Sequence, residues 1–183
     1  MSWNGTGPLV AAVLISVLAC SQSPQRPDAD SEEDKKEWKE AEVKFPPYPR
    51  NENLVQFEVG GNSPHRFYID PPSLAIGPDG VVRYSLVTRT AGGATNITFE
   101  GIRCEGRRQK YYAVGEASGG WTPARDPHWR RIQHQEPDRR HRALVDTYFC
   151  VGITPRKSAD ILQRLRYGPL ESETFDPPDR PFQ

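Results

Sequence analysis

The chain of 183 residues lacks most of the features that would assign an activity directly. It has three cysteines and no CxxC pair, so a redox motif or a zinc ribbon has no support. Its formal net charge is zero, with 24 basic and 24 acidic residues, which disfavours nucleic-acid binding. Its one long apolar run, residues 9–19, is shorter than the roughly 20 residues that a membrane-spanning helix needs.

Catalytic and metal-binding patterns are missing as well. The sequence has no GxSxG signature for a nucleophile, and the acids of its folded part are scattered singly instead of being paired. Its four histidines show neither HxxxH nor HxH spacing. The sequence therefore predicts no catalytic residues, no cofactor and no metal.

The apolar run at residues 9–19 is informative about where the protein is located. Its length is typical of the hydrophobic region of an export signal, about 7–15 residues, although residues 1–8 hold no Lys or Arg. The stretch VLAC at residues 17–20 resembles the lipobox of bacterial lipoproteins. The resemblance implies cleavage before Cys20 and acyl chains, palmitate among them, that anchor this residue in a membrane. Ser21 then implies transport to the outer membrane, facing the periplasm. The alternatives are a plain secreted protein and a buried first element of a cytosolic domain.

The other two cysteines form an even pair if Cys20 carries lipid. An exported chain folds in an oxidising compartment, so Cys104 and Cys150 are predicted to form a disulfide. Such a bridge closes a loop of about 47 residues and stabilises the fold by roughly 4 kcal/mol. The alternative is two buried free thiols.

Composition divides the chain into four parts. Residues 1–19 are the predicted lipoprotein signal peptide, and residues 20–45 are a predicted acidic, disordered tether, rich in Ser, Pro, Asp and Glu. Residues 46–168 are predicted to form a single globular domain. Residues 169–183 are predicted to be a disordered carboxy-terminal tail.

Alternating apolar residues predict strands in the first half of that domain, arranged as an antiparallel meander with one buried face. Pro71 and Pro72 are expected to end the second strand. In the fourth, the apolar residues change parity at Gly101, which predicts a bulge that returns Ile102 to the face of Phe99. The predicted strands are residues 54–59, 66–70, 81–90, 96–104 and 110–115.

Helical patterns follow the strands. Residues 137–150 carry an apolar stripe, and Thr154-Pro155 has the form of an N-cap followed by proline at the first helical position. Trp121, Trp129 and Ile132 are expected to pin an irregular connection to the sheet. Strands first and helices last predict an α+β fold: a curved antiparallel β-sheet of about four to five strands with two C-terminal helices packed on it.

Several of these segments, in this order, resemble the cryptic neisserial protein family, whose members are exported proteins of Gram-negative bacteria, mostly proteobacteria. The likeness spans roughly residues 54–165 and implies an envelope protein. It implies no activity, since that family is uncharacterised. The segments are residues 66–70, 80–89 (GVVRYSLVTR), 96–104 (NITFEGIRC) and 110–115, then Trp121, Ala124-Arg125, Trp129 and residues 148–150 (YFC).

Arginines are concentrated between residues 125 and 142, interleaved with tryptophan. Guanidinium groups bind carboxylates and phosphates in a bidentate manner, so this segment predicts an anion-binding surface. The alternative is arginines on solvated helix faces with tryptophans in the core. The candidate anion-binding residues are Arg125, Arg130, Arg131, Arg139 and Arg140.

These observations together predict a lipid-anchored cell-envelope protein whose domain binds or has a structural role and is not an enzyme. Its expected partners are the membrane, through the lipid anchor, and another envelope protein or an anionic envelope polymer. The alternative is an envelope enzyme that acts on cell-wall or lipopolysaccharide components.

Overall fold

A computed structural model describes residues 37–133 and 139–169. In these ranges the chain forms a mainly antiparallel sheet followed by two helical segments, which confirms the predicted α+β class. The predicted strand number was too low, because the connection after the fifth strand adds two short strands to the sheet. The predicted signal peptide, Cys20 and the C-terminal tail beyond residue 169 lie outside the described residues.

The large sheet has seven strands in the order β1-β2-β3-β4-β5-β6, and β7 also pairs with β5. A 3₁₀ turn, Asn51–Asn53, precedes β1. The strands are β1 Val55–Phe57, β2 Arg66–Ile76, β3 Val81–Arg89, β4 Thr95–Arg103, β5 Arg108–Gly115, β6 Trp121–Pro123 and β7 Arg130–Arg131.

The helices alternate with a small second sheet. Helix α1, Arg139–Ala143, continues into a π-helical segment, Leu144–Phe149. Strands β8, Cys150–Val151, and β9, Thr154–Pro155, then form a hairpin before helix α2, Ser158–Tyr167. The predicted N-cap at Thr154 was therefore wrong. Thr154 and Pro155 pair with β8 instead, and the helix begins only after Lys157.

Both faces of the sheet are buried, which the expected alternation of buried and solvated residues did not predict. The first seven residues of β3, from Val81 to Val87, are all buried. On one side, here the inner face, Tyr84 contacts Phe149 with ring centroids 5.0 Å apart. Ile161 and Leu165 of α2 belong to the same core. The other side, the outer face, is covered by chain that precedes β1.

Residues 38–48, here called the strap, lie across the outer face. Val43 packs on the small apolar cluster around Phe99, and the ring of Phe45 lies 6.0 Å from that of Phe99. Near the end of the strap, Tyr48 Oη donates a hydrogen bond to the carbonyl oxygen of Glu116 at 2.7 Å. Residues 38–45 were assigned to the tether on composition, and the structure instead makes them part of the folded domain.

The register of the strands corrects two further expectations. Strand β2 continues past Pro71 and Pro72, and its pairing with β3 shifts between Asp70 and Ala75. A bulge there accommodates the prolines, which have no amide proton to donate. Strand β4 pairs with β3 without a shift, so Phe99 and Ile102 lie on opposite faces, each within its own apolar cluster. The predicted bulge at Gly101 was wrong because both faces are covered.

Gly101 has a different role. A Cβ atom at this position would lie 2.7 Å from Tyr112 Oη and 2.8 Å from Tyr112 Cε2, inside van der Waals contact. The neighbouring irregularity is in β5: Phe99 pairs with Ala113 and Glu100 with Tyr111, so Tyr112 is the extra residue. Gly101 thus leaves room for the ring of Tyr112 on the outer face.

The antiparallel pairing gives the sheet two distinct ends. The β2–β3 and β4–β5 turns lie at one end, here called the groove end, since Val81 pairs with Arg103 and Arg103 with Arg108. The β1–β2 loop and the β3–β4 turn lie at the other, the far end, where Arg89 pairs with Arg66 and Thr95.

Candidate functional site

A buried polar cluster on the inner face is centred on Glu100 of β4. Its carboxylate accepts hydrogen bonds from Thr98 Oγ1 at 2.6 Å and from Tyr84 Oη at 3.0 Å. His141 Nε2, on α1, lies 2.7 Å from the same carboxylate. The cluster therefore ties the first helix to the middle of the sheet.

The surroundings keep this carboxylate charged. Burial alone raises the pKa of Glu100, but the charge and hydrogen bond of His141, with the charge of Arg140, hold it below its usual value. Burial and the neighbouring Glu100 raise the pKa of Tyr84 well above its usual value. Tyr84 is thus a hydrogen-bond donor and Glu100 an acceptor at neutral pH.

The burial of this cluster determines whether a substrate could reach it. The side chains of Glu100 and His141 are both 0% exposed, whereas a general acid or base must come within hydrogen-bond distance of its substrate. The pair is sealed between α1 and the sheet. Its geometry suits a structural tie and gives a substrate no path to either group.

A second polar cluster fastens the strap to the outer face. Arg83 of β3 donates two hydrogen bonds to Asp79, at 3.0 Å to Oδ1 and 2.6 Å to Oδ2. The backbone amide of Ala41, in the strap, donates to Asp79 Oδ2 at 2.8 Å. Burial raises the pKa of Asp79, but the guanidinium and the amides of Ala41 and Val81 outweigh it and lower the pKa to about 2.

Glu40 is the strap's main charged contact. Its carboxylate accepts hydrogen bonds from Lys110 Nζ and Tyr112 Oη, both at 2.7 Å, and from Trp129 Nε1 at 3.2 Å. Burial raises the pKa of Glu40, and these donors more than offset that effect, so the pKa lies below its usual value. All three of these donors lie within the domain, so the contacts of Glu40 hold the strap closed on the sheet.

The groove end offers the accessible site. A cleft of about 660 Å³ lies between the β4–β5 turn, β7 and the β8–β9 turn. Cys104 and Ile132 are the buried residues of its lining. The cleft is lined by Cys104, Gly106, Arg107, Arg131, Ile132, Gln133, Gly152 and Ile153. Its described lining combines cationic and apolar side chains without a carboxylate, a hydroxyl or an imidazole, a combination that binds anions and apolar groups.

The predicted disulfide lies at this cleft. Cys104 and Cys150 are bonded, with their Cα atoms 5.7 Å apart. The bridge joins the end of β4 to the start of β8, and both residues are almost fully buried. It therefore holds the β8–β9 hairpin against the end of the sheet, where the hairpin forms one wall of the cleft.

Basic residues surround the cleft. Arg107 forms an ion pair with Asp146, in which Nη2 lies 3.1 Å from Oδ2. Arg108 and Arg131 are direct cross-strand partners, and both are exposed. Within residues 37–133 and 139–169, neither has an acidic side chain within ion-pair distance. The edge of the sheet next to the cleft thus carries uncompensated positive charge.

The structure does not bring the predicted anion-binding arginines together. Arg131 lies at the cleft, with Arg130 beside it in β7. Arg139 and Arg140 line a cavity of about 350 Å³ at the far end, with His65 and Thr88. Arg125 is exposed in the connection between β6 and β7.

Arg140 also departs from the predicted role. Its Nη2 donates a hydrogen bond to Tyr111 Oη at 2.8 Å, and burial, which lowers the pKa, is outweighed by Glu100 and the neighbouring phenols, which raise it. Arg140 is thus part of the buried cluster around Glu100 as well as of the cavity wall. One continuous surface holding all five arginines is not present.

Sequence reasoning missed Arg107, Arg108 and Ile153. The first two follow a glycine in a short turn, and Ile153 follows Gly152 in another. A β-branched apolar residue in a two-residue hairpin turn is an unusual choice, since such turns favour Gly, Asn and Asp. This was the one signal available from the sequence. The role of this residue can be interpreted only with the cleft, whose walls come together in the folded chain.

The described residues hold neither a metal-binding group of side chains nor a membrane-spanning helix. Within residues 37–133 and 139–169, no three His, Cys, Asp or Glu side chains are grouped so that they could hold a metal ion. None of the helices in these ranges has the length and apolar character of a membrane span.

Comparison with known proteins agrees with the resemblance found in the sequence. The sequence profile of the CNP1-like family matches residues 33–166, which include both the strap and the residues around the cleft. The chain belongs to the CNP1-like family. It is 27% identical over 148 residues to "Cryptic neisserial protein 1" of Neisseria gonorrhoeae (strain ATCC 700825 / FA 1090), covering 72% of each chain. No solved structure matches it.

Membership extends the likeness beyond what the sequence segments indicated. The match begins at residue 33, five residues before Trp38 of the strap, whereas the resemblance read from the sequence began near residue 54. The CNP1-like family is one of uncharacterised proteins, so it carries no activity over to this member.

Proposed function

We propose that this CNP1-like protein is a lipid-anchored protein of the cell envelope, with a non-catalytic domain that binds an anionic envelope component or supports envelope structure. The observation that carries the proposal is the buried disulfide between Cys104 and Cys150. Disulfides form and persist in oxidising compartments and are rare in the cytosol. The bridge therefore supports a location outside the cytosol.

The anchor follows from residues 9–20. An apolar run of export-signal length ends at Cys20 in a stretch that resembles a lipobox. A cysteine bearing several acyl chains gives stable membrane attachment, where a single chain gives only marginal binding. Ser21 favours the outer membrane, with the domain facing the periplasm.

The absence of catalysis is proposed from where the titratable groups lie. The carboxylate of Glu100 and the imidazole of His141 are sealed inside the domain, and the carboxylates of Asp79 and Glu40 are engaged in the contacts between strap and sheet. The cleft at the groove end presents guanidinium and apolar groups, and the cysteine that lines it is in a disulfide. Such a lining recognises an anion and does not activate a nucleophile.

Acyl labelling tests the anchor. Cells making the wild-type chain or Cys20→Ala are fed an alkyne-bearing fatty acid, and the purified proteins are assayed for label. We expect label on the wild type and none on the variant. Unlabelled wild-type protein would contradict the anchor.

Thiol counting tests the compartment separately. Alkylation of denatured, unreduced protein should detect no free thiol in the wild type, and reduction should expose the two thiols of Cys104 and Cys150. A Cys20→Ala chain retained in the cytosol by removal of residues 1–19 provides the comparison, and there the two cysteines should be reduced. Equal reactivity of both cysteines with and without reductant in the exported protein would remove the export argument.

A further inference from the structure

The β8–β9 hairpin presents an apolar turn at the groove end. Ile153 is 70% exposed and Val151 is 58% exposed, in a short hairpin that the disulfide fastens to the end of β4. Gly152, between them, adopts a positive φ of 57°. Exposed single apolar residues are common on proteins, but here two of them flank a turn that normally carries polar residues.

Two arginines without an acidic partner in the described part of the chain lie beside this turn. Arg108 and Arg131 face each other across neighbouring strands, and like charges in directly opposed positions destabilise a sheet. Arg131 and Ile153 line the same cleft. A rigid apolar turn next to paired arginines matches the two layers of a bilayer surface, its acyl region and its phosphates.

The strap begins at the groove end. Trp38 Nε1 donates to the carbonyl oxygen of Asp79 at 2.9 Å, and the guanidinium of Arg103 lies 4.1 Å from the centre of the Trp38 ring. Arg103 is the cross-strand partner of Arg108. The chain that leads back to Cys20 therefore joins the domain within one strand of the paired arginines.

The length of the connecting chain bounds how far the domain can lie from Cys20. Eighteen residues from Cys20 to Trp38 span at most roughly 60 Å when fully extended. A site held this close to a surface meets it at high effective concentration, so a weak second contact is enough to orient the domain.

We propose that the groove end docks on the anionic surface of a phospholipid membrane, with Ile153 in the interfacial layer and Arg108 and Arg131 on lipid phosphates. The membrane is the one to which Cys20 is attached, so the physiological setting rests on the proposed function. The docking contact itself belongs to the domain and does not require the acyl chains.

The test uses the full chain with Cys20→Ala, so that acylation plays no part. Flotation measures its partition onto vesicles of phosphatidylethanolamine and phosphatidylglycerol, and onto vesicles of phosphatidylcholine alone. We expect stronger binding to the anionic vesicles, weakened by added salt, because exposed charges are screened within about 8–10 Å. Equal binding to both vesicle types would overturn the proposal.

Variants at the groove end locate the contact. Ile153→Ser should weaken binding to anionic vesicles about tenfold through the loss of one buried side chain. Arg108→Glu with Arg131→Glu should weaken it by about 20-fold or more, since each basic residue near such a surface contributes about fivefold. The matched control is Arg50→Glu with Arg66→Glu, two exposed arginines at the far end.

A variant that is expected to bind more tightly separates the loss of a contact from the loss of the fold, since misfolding would not increase binding at this site. Ile153→Trp should bind anionic vesicles more tightly than the parent, since tryptophan favours the membrane interface. Residues 1–19 are common to every variant, so binding through them would be the same in all. Equal partitioning of parent, groove-end variants and control, or an equal loss in the control, would overturn the proposal.

Discussion

The two faces of the sheet are both buried, but by different means. Helical segments cover the inner face with a large apolar cluster, and the pair of Glu100 and His141 beside it is fully enclosed. The strap covers the outer face with extended chain, whose contacts are mainly hydrogen bonds, ion pairs and aromatic rings such as Trp38 on Arg103. One layer therefore depends mainly on apolar burial and the other mainly on polar contacts.

The difference predicts different stabilities for the two layers. Apolar burial and an enclosed ion pair fail only when the whole domain opens, since their loss leaves unsolvated charge inside. A strap of extended chain, held mainly by hydrogen bonds and ion pairs, opens locally, at lower free energy, while the core remains folded. The inner face is thus expected to report global unfolding and the outer face local opening.

The largest effect should come from breaking the enclosed pair. His141→Leu removes the imidazole that lies 2.7 Å from the enclosed Glu100 carboxylate, which costs about 3–5 kcal/mol of unfolding free energy. Urea unfolding followed by circular dichroism measures it. The double variant Glu100→Gln with His141→Leu removes the charge as well and should recover part of the loss. A loss below about 1 kcal/mol for the single variant would show that the pair is not a tie between α1 and the sheet.

A smaller effect should follow from cutting the strap's anchor. Arg83→Met removes both hydrogen bonds to Asp79, and charge-assisted bonds of this kind contribute about 2 kcal/mol together. We expect limited proteolysis to cleave residues 38–48 earlier than in the wild type while α2 stays protected. The control is Arg66→Met, an exposed arginine of β2. Simultaneous cleavage of strap and helix would mean that the two layers unfold as one.

Lowering the pH should weaken the anchor of the strap at Asp79, with a smaller effect. The pKa of Asp79 is about 2 in the folded chain, below its usual 3.8, so its charge stabilises the fold above about pH 4. That contribution is lost as pH falls from about 4 to about 2. The difference in urea midpoint between wild type and Asp79→Asn should therefore shrink over this interval. A constant difference across it would contradict the role assigned to the carboxylate.

The inner face was largely predictable and the outer face was not, for a physical reason. Apolar residues at strand and helix spacing report which side chains need burial, and this predicted the strands around Tyr84 and the stripe ending at Phe149. The strap has neither spacing. Its few apolar residues, Trp38, Val43, Phe45 and Tyr48, stand among charges and prolines, a composition typical of linkers.

The candidate site was predicted in part for the same reason. The number of cysteines predicted the bridge between Cys104 and Cys150, because only these two remain to pair once Cys20 is assigned to the lipid. Arg131 was recognised as basic, but its neighbours in space, Arg108 and Ile153, come from distant turns that only the sheet register brings together. Sequence proximity grouped Arg139 with Arg131, whereas the fold places them at opposite ends.

The smallest expected effect on stability concerns the first turn of α2, on the inner face. Lys157 precedes α2 with an extended backbone, φ −64° and ψ 147°, and makes no side-chain capping hydrogen bond. A short carboxylate at this position can accept from the free amides of the first turn and suits the positive end of the helix dipole. Lys157→Asp should therefore raise the urea midpoint, by about 0.5–1 kcal/mol of stability. Proteolysis of the strap should be unchanged, because the added bond stabilises the inner layer alone. Slower strap cleavage in this variant would show that helix and strap are coupled through the sheet.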